Sequence, residues 1–394
     1  MKQRWTFRCY PTPEQEKHFA RTFGCVRFVW NHFLQQRTDG YFLRGERIGY
    51  PETDRRLTQL KREQETAWLN DVSSVPLQQT LRDLQIAFSN FFDKRTSYPT
   101  FKKKGGQQSA NYSERGFYFD AKSRTLKLAK VGEVKVKWSR NAIPNPSSIR
   151  LIRRPSGRFF VSLVVAVESV RLADTGEVIG VDFGINRLAT LSDGGLVANP
   201  KHGSRMAKNL AHAQRRLARK LKGSKRRELA KRRVARIHER ITNCRKDTIN
   251  KFVLDMVRRY DVIYIEDLHL RGMLKNHSIA RALSDASIGA CARKLEEKAE
   301  MHGKKVIRID RFFPSTKTCS GCGFIHGKMP LSIRFWTCPE CGAAHDRDVN
   351  AAINIKAVGQ TVSAQGGGVR AKRATARKAT RQRAANQQGV KHVA

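Results

Sequence analysis

Two Cys-x-x-Cys pairs, Cys319/Cys322 and Cys338/Cys341, stand fifteen residues apart. No other feature restricts the folding of this chain so tightly. Four thiols at that spacing suit one tetrahedral zinc ion in a ribbon, each pair occupying a tight turn. Gly323 and Gly342 follow the pairs where such turns call for glycine. Protein fills all four ligand positions, so the expected Zn²⁺ is structural. A disulfide reading would need an oxidising compartment, and the start of the chain, Met-Lys-Gln-Arg-Trp, has no apolar stretch of a secretory signal. The other cysteines, Cys9, Cys25, Cys244 and Cys291, stand singly and read as small core fillers.

Charge restricts the partners. Lys plus Arg number 77 against 34 Asp plus Glu, a net +43 over 394 residues. A compact body with that charge repels itself, and a polyanion relieves the repulsion. Hydrophobic content of 40% still permits a sizeable core, so a wholly disordered basic protein is excluded. The longest apolar run, Val161 to Val167 with one Ser, is far too short to span a bilayer. The expectation is a cytoplasmic nucleic-acid-binding protein of two or three domains with no membrane partner. The charge is densest in 201–240, with 16 Lys/Arg against two Glu. A solvated helix face is the bland reading there, and a surface tracking a phosphate backbone accounts better for so lopsided a run. Gly366 to Ala394 carries eight Lys/Arg and no acid; it cannot bury a core and is expected to be disordered.

Patterning divides the rest. Trp5, Phe7 and Cys9 alternate with polar residues as in a half-buried strand. Thr12-Pro13-Glu14-Gln15 is a capping box with Pro at the first helical position, opening an aromatic-rich helix to about Arg37. A second helical block covers Ser74 to Asp93. Between Tyr98 and Ser169, short alternating runs broken by Gly, Pro and Asn suggest a small β-barrel or sandwich. The Trp5 strand is expected to join it, which makes the helical block an insertion. Residues 201–260 read as basic helices parted at Gly223-Ser224, with Val234, Ile237 and Ile241 as an apolar stripe.

Three acidic motifs carry the chemistry. Val178 to Gly184 is a β-branched strand holding Asp182 near its end, and Arg187 to Leu191 returns as a hairpin. Val262 to Asp267 is a continuous apolar run ending in Glu266 and Asp267, the mark of a strand covered on both faces in a layered α/β sheet. His345-Asp346-Arg347-Asp348-Val349-Asn350 precedes a helical Ala351 to Ile355. Capping explains one acid of that cluster and leaves the second unexplained. Acids on separate elements of one α/β domain are what a phosphodiester-cutting site needs, because two Mg²⁺ ions about 4 Å apart require several carboxylates. Spacing alone cannot make the three converge.

Together the motifs resemble the TnpB family, the transposon-encoded RNA-guided nucleases related to type V CRISPR effectors. The resemblance runs from Tyr10-Pro11-Thr12-Pro13-Glu14-Gln15 and Thr22 to Asn31, through Leu77 to Leu84 and Tyr98 to Lys103. It continues to Gly180-Val181-Asp182-Phe183-Gly184, Ile265-Glu266-Asp267-Leu268, the cysteine pairs and Asp346 to Ala352. It implies a multidomain α/β plus β-barrel architecture. That comprises a RuvC-like (RNase H-type) nuclease domain with a zinc-ribbon insertion, a wedge-type β-barrel, and an inserted helical recognition lobe. The boundaries implied are 1–10 and 98–172 for the barrel, 11–97 for the lobe, 173–315 and 345–365 for the nuclease domain, 316–344 for the ribbon, and 366–394 for the tail. Asp182, Glu266 and Asp348 become the metal-binding triad, Asp348 because the family's third acid precedes x-Asn-Ala-Ala. The partners implied are a guide RNA from the transposon end and double-stranded target DNA with a short adjacent motif, bound by a monomer on one RNA. Gln78 and Gln79 are candidate readers of that motif, since Gln can pair with adenine edges, although solvated helix positions fit them equally. Lys102, Lys103, Arg215, Arg216, Arg226 and Arg232 are candidate nucleic-acid contacts. A non-cutting repressor and a strand-transferring transposase are the competing functions.

Overall fold

The computed structural model describes residues 1–327, 329–330 and 332–364; the basic segment read as disordered, Gly366 to Ala394, lies outside them. The chain divides into two compact units, Met1–Glu168 with Ala213–Arg236, and Ser169–His212 with the chain from Ile237 onward.

In the first unit β1 (Lys2–Cys9) leads into α1 (Pro13–Arg44), α2 (Tyr50–Leu60) and α3 (Ser74–Phe92). The capping box forms as read: the Gln15 N–H donates to Thr12 Oγ1 at 3.3 Å, and the Thr12 N–H donates to Gln15 Oε1 at 3.1 Å. Helix α1 runs past Arg37 and stops at Gly45, whose φ of +67° only glycine adopts easily. Gly40 does not break it, because a Cβ there would meet Ile48 Cδ1 at 2.8 Å; the glycine makes room for the returning loop. The strands that follow are β2 (Gln108–Ser113), β3 (Phe117–Asp120), β4 (Thr125–Leu128), β5 (Gly132–Glu133), β6 (Val136–Lys137), β7 (Pro146–Arg153) and β8 (Phe159–Ala166).

Strand β1 lies between β8 and β6, paired from Lys2 opposite Ala166 to Cys9 opposite Phe159. The helices are thus an insertion between strands of one sheet, as the patterning suggested. The strands form two sheets rather than a single ring, β2-β7-β8-β1-β6 and β3-β4-β5. The chain crosses from one to the other at Val134–Lys135. There the Val134 N–H bonds the Leu126 carbonyl at 2.9 Å, and the Lys135 carbonyl accepts from the Tyr10 N–H at 2.8 Å. One core, including Phe7, Phe19, Leu84, Leu126, Tyr112 and Val161, underlies both sheets and the helices.

The second unit contains β9 (Val178–Phe183), β10 (Arg187–Leu191), β11 (Leu196–Ala198), α4 (His202–Arg205), β12 (Val262–Glu266), α7 (Leu270–Met273), α8 (His277–Ala286), α9 (Ile288–Met301), β13 (Lys305–Ile309), β14 (Phe335–Thr337), β15 (Ala344–Asp346) and α10 (Arg347–Ala364). Helices α5 (Ala207–Ala218) and α6 (Lys225–Arg259) are divided between the units, and the gap between them holds Gly223-Ser224. The sheet order is β11-β10-β9-β12-β13, with β9, β12 and β13 parallel and the β9–β10–β11 meander antiparallel. Phe252, Val253 and Met256 of α6 and Cys291 and Leu295 of α9 pack on one face. Ile355 and Val358 of α10 pack on the other, against Tyr264 and Ile309. Both faces of β12 are covered, as its unbroken apolar run required. No described helix is long and apolar enough to cross a membrane.

Candidate active site and metal centres

The three acids of the sequence motifs come to one end of the second unit's sheet, and two glycine contacts explain how. Gly180 pairs with Tyr264 on the adjacent parallel strand. A Cβ on Gly180 would fall 2.1 Å from the Ala352 carbonyl oxygen and 2.7 Å from the Lys356 nitrogen. A Cβ on Gly359 would fall 2.1 Å from the Tyr264 ring. Helix α10 therefore lies with its backbone directly on β9 and β12, on the face to which residues 180 and 264 point. Side chains alternate along a strand, so Asp182 and Glu266, two residues on, share that face. Ile265 is the partner of Val181, which sets Glu266 beside Asp182, about 4.8 Å away across the strands. Asp348 is four residues before Ala352. Asp348 stands in the first turn of α10, close enough for its charge to act on Asp182.

The electrostatics agree. Burial pushes the Asp182 carboxyl up to about 8, and the charges of Asp348 and Glu266 push it in the same direction, against Arg347 and Arg334. Burial and the neighbouring Asp267 push Glu266 up to about 7. Among the described residues no protein group donates a hydrogen bond to either carboxyl. Asp348 and Glu266 are close enough to raise the pKa of Asp182, and oxygen donors of this kind are the type that hard divalent cations take. Asp267 is occupied otherwise: it pairs with Arg311 and, at 3.4 Å, with Arg308 Nη1.

Asp346 and Asp348 divide their labour. Asp346 Oδ1 accepts the backbone N–H groups of Asp348 at 2.9 Å and Val349 at 3.2 Å, the cap expected of one acid here, and its other oxygen meets Arg187 Nη1 at 3.3 Å. Among the described residues the Asp348 carboxylate has one hydrogen-bond partner, Arg334 Nη1 at 3.2 Å.

The four cysteine sulfurs lie within 4.8 Å of one another, with Cys319–Cys341 at 3.7 Å and Cys322–Cys338 at 3.6 Å. Tetrahedral Zn–S bonds of about 2.3 Å put sulfurs some 3.8 Å apart, while a disulfide needs about 2 Å. Each pair sits in a turn closed by glycine. The Gly323 N–H donates to the Cys319 carbonyl and the Gly342 N–H to the Cys338 carbonyl, both at 2.9 Å, with φ of +82° and +74°. The cluster suits a structural zinc ion.

Sequence reasoning missed what joins this cluster to α10. Asn350, 1% exposed, accepts the Ser320 N–H at 2.9 Å and donates to the Thr318 carbonyl at 2.7 Å. Asn354 donates to the carbonyls of Thr318 at 2.7 Å and Ser315 at 2.8 Å. Arg347 donates to the Pro330 carbonyl at 2.8 Å. Asn350 lay within a quoted motif, but nothing in sequence indicates a partner thirty residues away.

The remaining candidates belong to the first unit. Gln78 is exposed and Gln79 half-buried on α3. Lys103, Arg215, Arg216, Arg226 and Arg232 are exposed. Lys102 is held in the body of the unit, its ammonium 3.8 Å from the centre of the Trp30 ring and its N–H donated to Asn31 Oδ1 at 2.8 Å. Burial lowers its pKa to about 8. Of the single cysteines, Cys9, Cys25 and Cys291 are buried and Cys244 is partly so.

Comparison with known proteins follows this layout. A family profile described as "Probable transposase" matches residues 162–277, one described as "Cas12f1-like, TNB domain" matches 289–355, and one described as "Helix-turn-helix domain" matches 1–46. A Streptomyces pristinaespiralis protein named "Putative RNA-guided DNA endonuclease" is 44% identical over 382 residues, covering 96% of this chain and 94% of its own. The Escherichia coli K12 protein "Putative RNA-guided DNA endonuclease InsQ" is 30% identical over 380 residues, covering 92% and 94%. The chain belongs to the TnpB family. The fold of a Cas12f1 chain, solved in a complex with sgRNA and target DNA, is shared over 90% of this chain and 98% of that one, with TM-score 0.55 and 11% identity. In this member the region matched as helix-turn-helix is one strand and one 32-residue helix, α1.

Proposed function

We propose that this chain is an RNA-guided DNA endonuclease whose RuvC-like site is Asp182, Glu266 and Asp348. The observation that carries the reading is the strand register that sets Glu266 beside Asp182, with the charge of Asp348 acting on Asp182 from the first turn of α10. Two Mg²⁺ ions bound there would activate a water for attack on phosphorus and stabilise the leaving oxygen. The protein's own part is to hold three half-buried carboxylates at fixed positions. Arg334 and Arg347 temper their repulsion, and the ribbon braces the helix that carries the third.

In this reading the first unit's two sheets take the place of the wedge-type barrel and hold a guide RNA from the transposon end, and the helical insertion follows the guide–target duplex. Base pairing carries the specificity, while the protein reads helix shape and a short target-adjacent motif. Exposed Gln78 is better disposed than Gln79 to read a base edge. Lys103, Arg215, Arg216, Arg226 and Arg232 serve as phosphate contacts, and Lys102 braces Trp30. One site cuts both DNA strands in turn, in a cytoplasmic monomer on one RNA, and zinc is structural.

The test is plasmid linearisation by the complex of full-length chain and guide RNA. Asp182→Ala should abolish Mg²⁺-dependent cutting and leave guided binding to matched DNA nearly intact; substantial cutting by that variant would sink the assignment. The description "Probable transposase" attached to residues 162–277 favours strand transfer as a second reading. Recombinant joints in place of free double-strand ends would establish it.

A further inference from the structure

Among the large apolar side chains described in the second unit, Phe312 and Phe335 are the most exposed, at 86% and 73%. They belong to different segments, each of which strand register ties to the neighbourhood of the acids: β13 pairs Ile309 with Glu266, and β14 pairs Phe335 with Asp346, two residues before Asp348. Ile309, the last residue of β13, is the partner of Glu266, and Phe312 follows three residues later. The turn between is fixed: the Phe312 N–H donates to Asp310 Oδ1 at 2.8 Å, Arg311 pairs with Asp267, and Phe313 packs into the apolar cluster around Ile355. Phe312 is therefore held out in water by an anchored turn next to Glu266.

Phe335 is the cross-strand partner of Asp346 in the β14–β15 hairpin, and cross-strand partners share a face. Asp346 uses that face to cap α10 at Asp348. The preceding residue, Arg334, bonds Asp348, and its carbonyl accepts the Arg347 N–H at 2.8 Å. Trp336, the next residue, points the other way and is buried with Cys319 and Cys338. Phe335 is thus presented on the Asp348 side of the ribbon.

Two exposed rings, one beside each flank of a carboxylate cluster, have no partner in the core of this unit. In a chain of +43 charge, the ligand with both a phosphate backbone and flat apolar faces is unpaired nucleic acid. We propose that Phe312 and Phe335 stack on unpaired bases of the DNA strand being cut and so set its phosphodiester over the carboxylates. They are substrate-positioning residues that act through the bases and take no part in proton or metal chemistry. Stacking is tolerant of sequence, because every base has a π-face, which suits a site that must cut whatever sequence the guide selects. The inference rests on the nuclease reading above, and its test is separable from that reading.

The probe is a single-stranded oligodeoxynucleotide carrying 2-aminopurine, compared with an abasic strand of equal length, each added to the full-length chain with its RNA in Ca²⁺ to prevent turnover. Wild type should quench the 2-aminopurine and prefer the base-bearing strand by about tenfold or more. Phe312→Ala and Phe335→Ala should each reduce both signals, and the double variant should remove them. Phe312→Trp should retain them, and the slope of affinity with salt should not change, since no phosphate contact is lost. Exposed positions should leave the melting temperature unaltered. Equal affinity of wild type for abasic and base-bearing strands, or undiminished quenching in the double variant, would overturn the proposal even if matched plasmid is cut normally. A wild type that quenches but never cuts would retain the platform and refute the nuclease.

Discussion

The thiol cluster takes its ligands from two adjacent turns of one ribbon, while the carboxylate cluster takes its three from segments spread over nearly half the chain. In the first, each cysteine pair is fixed by hydrogen bonds inside its own turn, Gly323 to Cys319 and Gly342 to Cys338. In the second, nothing local brings the acids together. Their meeting depends on register between β9 and β12 and on a helix laid without clearance on Gly180 and Tyr264. A locally built centre should fail by losing its ion, and a globally built one by losing its geometry.

The largest effect should come from the ribbon. Cys338→Ser should lower bound zinc well below one per chain by elemental analysis and unfold the ribbon, because metal affinity here is folding energy on the order of 10 kcal/mol. Unchanged zinc stoichiometry would refute the four-thiolate site. Gly180→Ala tests the opposite failure. Its methyl group would meet backbone atoms that cannot rotate aside, so α10 must shift, at about 1–3 kcal/mol or more. Cutting should be lost with zinc fully retained; an active Gly180→Ala protein would show that the acids do not depend on this contact.

Asn350→Ala addresses the link between the centres. It leaves the Ser320 N–H and one acceptor site of the Thr318 carbonyl unpaired in a partly buried setting, at a cost of about 1 kcal/mol. Thermal melting should report that loss, and the Mg²⁺ concentration for half-maximal cutting should rise while zinc stays bound. An unchanged magnesium requirement would separate the ribbon from the third acid.

The last test is a pH dependence. Folding raises Asp182 from 3.8 to about 8 and Glu266 from 4.5 to about 7. In magnesium-free buffer the folded chain holds protons that the unfolded chain has released, so this site's contribution to stability is complete below both ordinary values and is lost as pH rises towards 7 to 8. Melting temperature should therefore fall across that window and recover on adding Mg²⁺. Asp182→Asn should flatten the dependence.

What was legible in the sequence follows the same division. The capping box at Thr12, the hairpin after Asp182, the covered strand before Glu266 and the zinc turns are short-range patterns, and all are present in the structure. Strand β2 was not read, because Gln108 to Ser113 is mostly polar and only Ala110 and Tyr112 enter the core. Strand β13 was hidden by Lys305 and Arg308, which an edge strand tolerates; Arg308 is matched by Glu296 at 2.7 Å. Helix α1 runs past its expected end near Arg37 to Arg44, through Gly40, which is a packing glycine against Ile48. The acids themselves stood out, but their convergence, the Arg334–Asp348 pair and the asparagine clamps are long-range facts with no periodicity to betray them.

The interleaved strands also set an order of assembly during synthesis. Strand β1 is made first, yet its longest partner, β8, ends at Ala166. At about 5–20 residues per second, on the order of ten seconds pass before that partner has been made. Until then Trp5 and Phe7 have no partner strand, since β6 reaches only Arg8 and Cys9, and α1 to α3 are the elements able to form alone. Asp348 comes later still, after the zinc turns. The nascent chain can thus complete the strands of its first unit before it acquires a full set of carboxylates, and a product interrupted in the ribbon would hold Asp182 and Glu266 without Asp348.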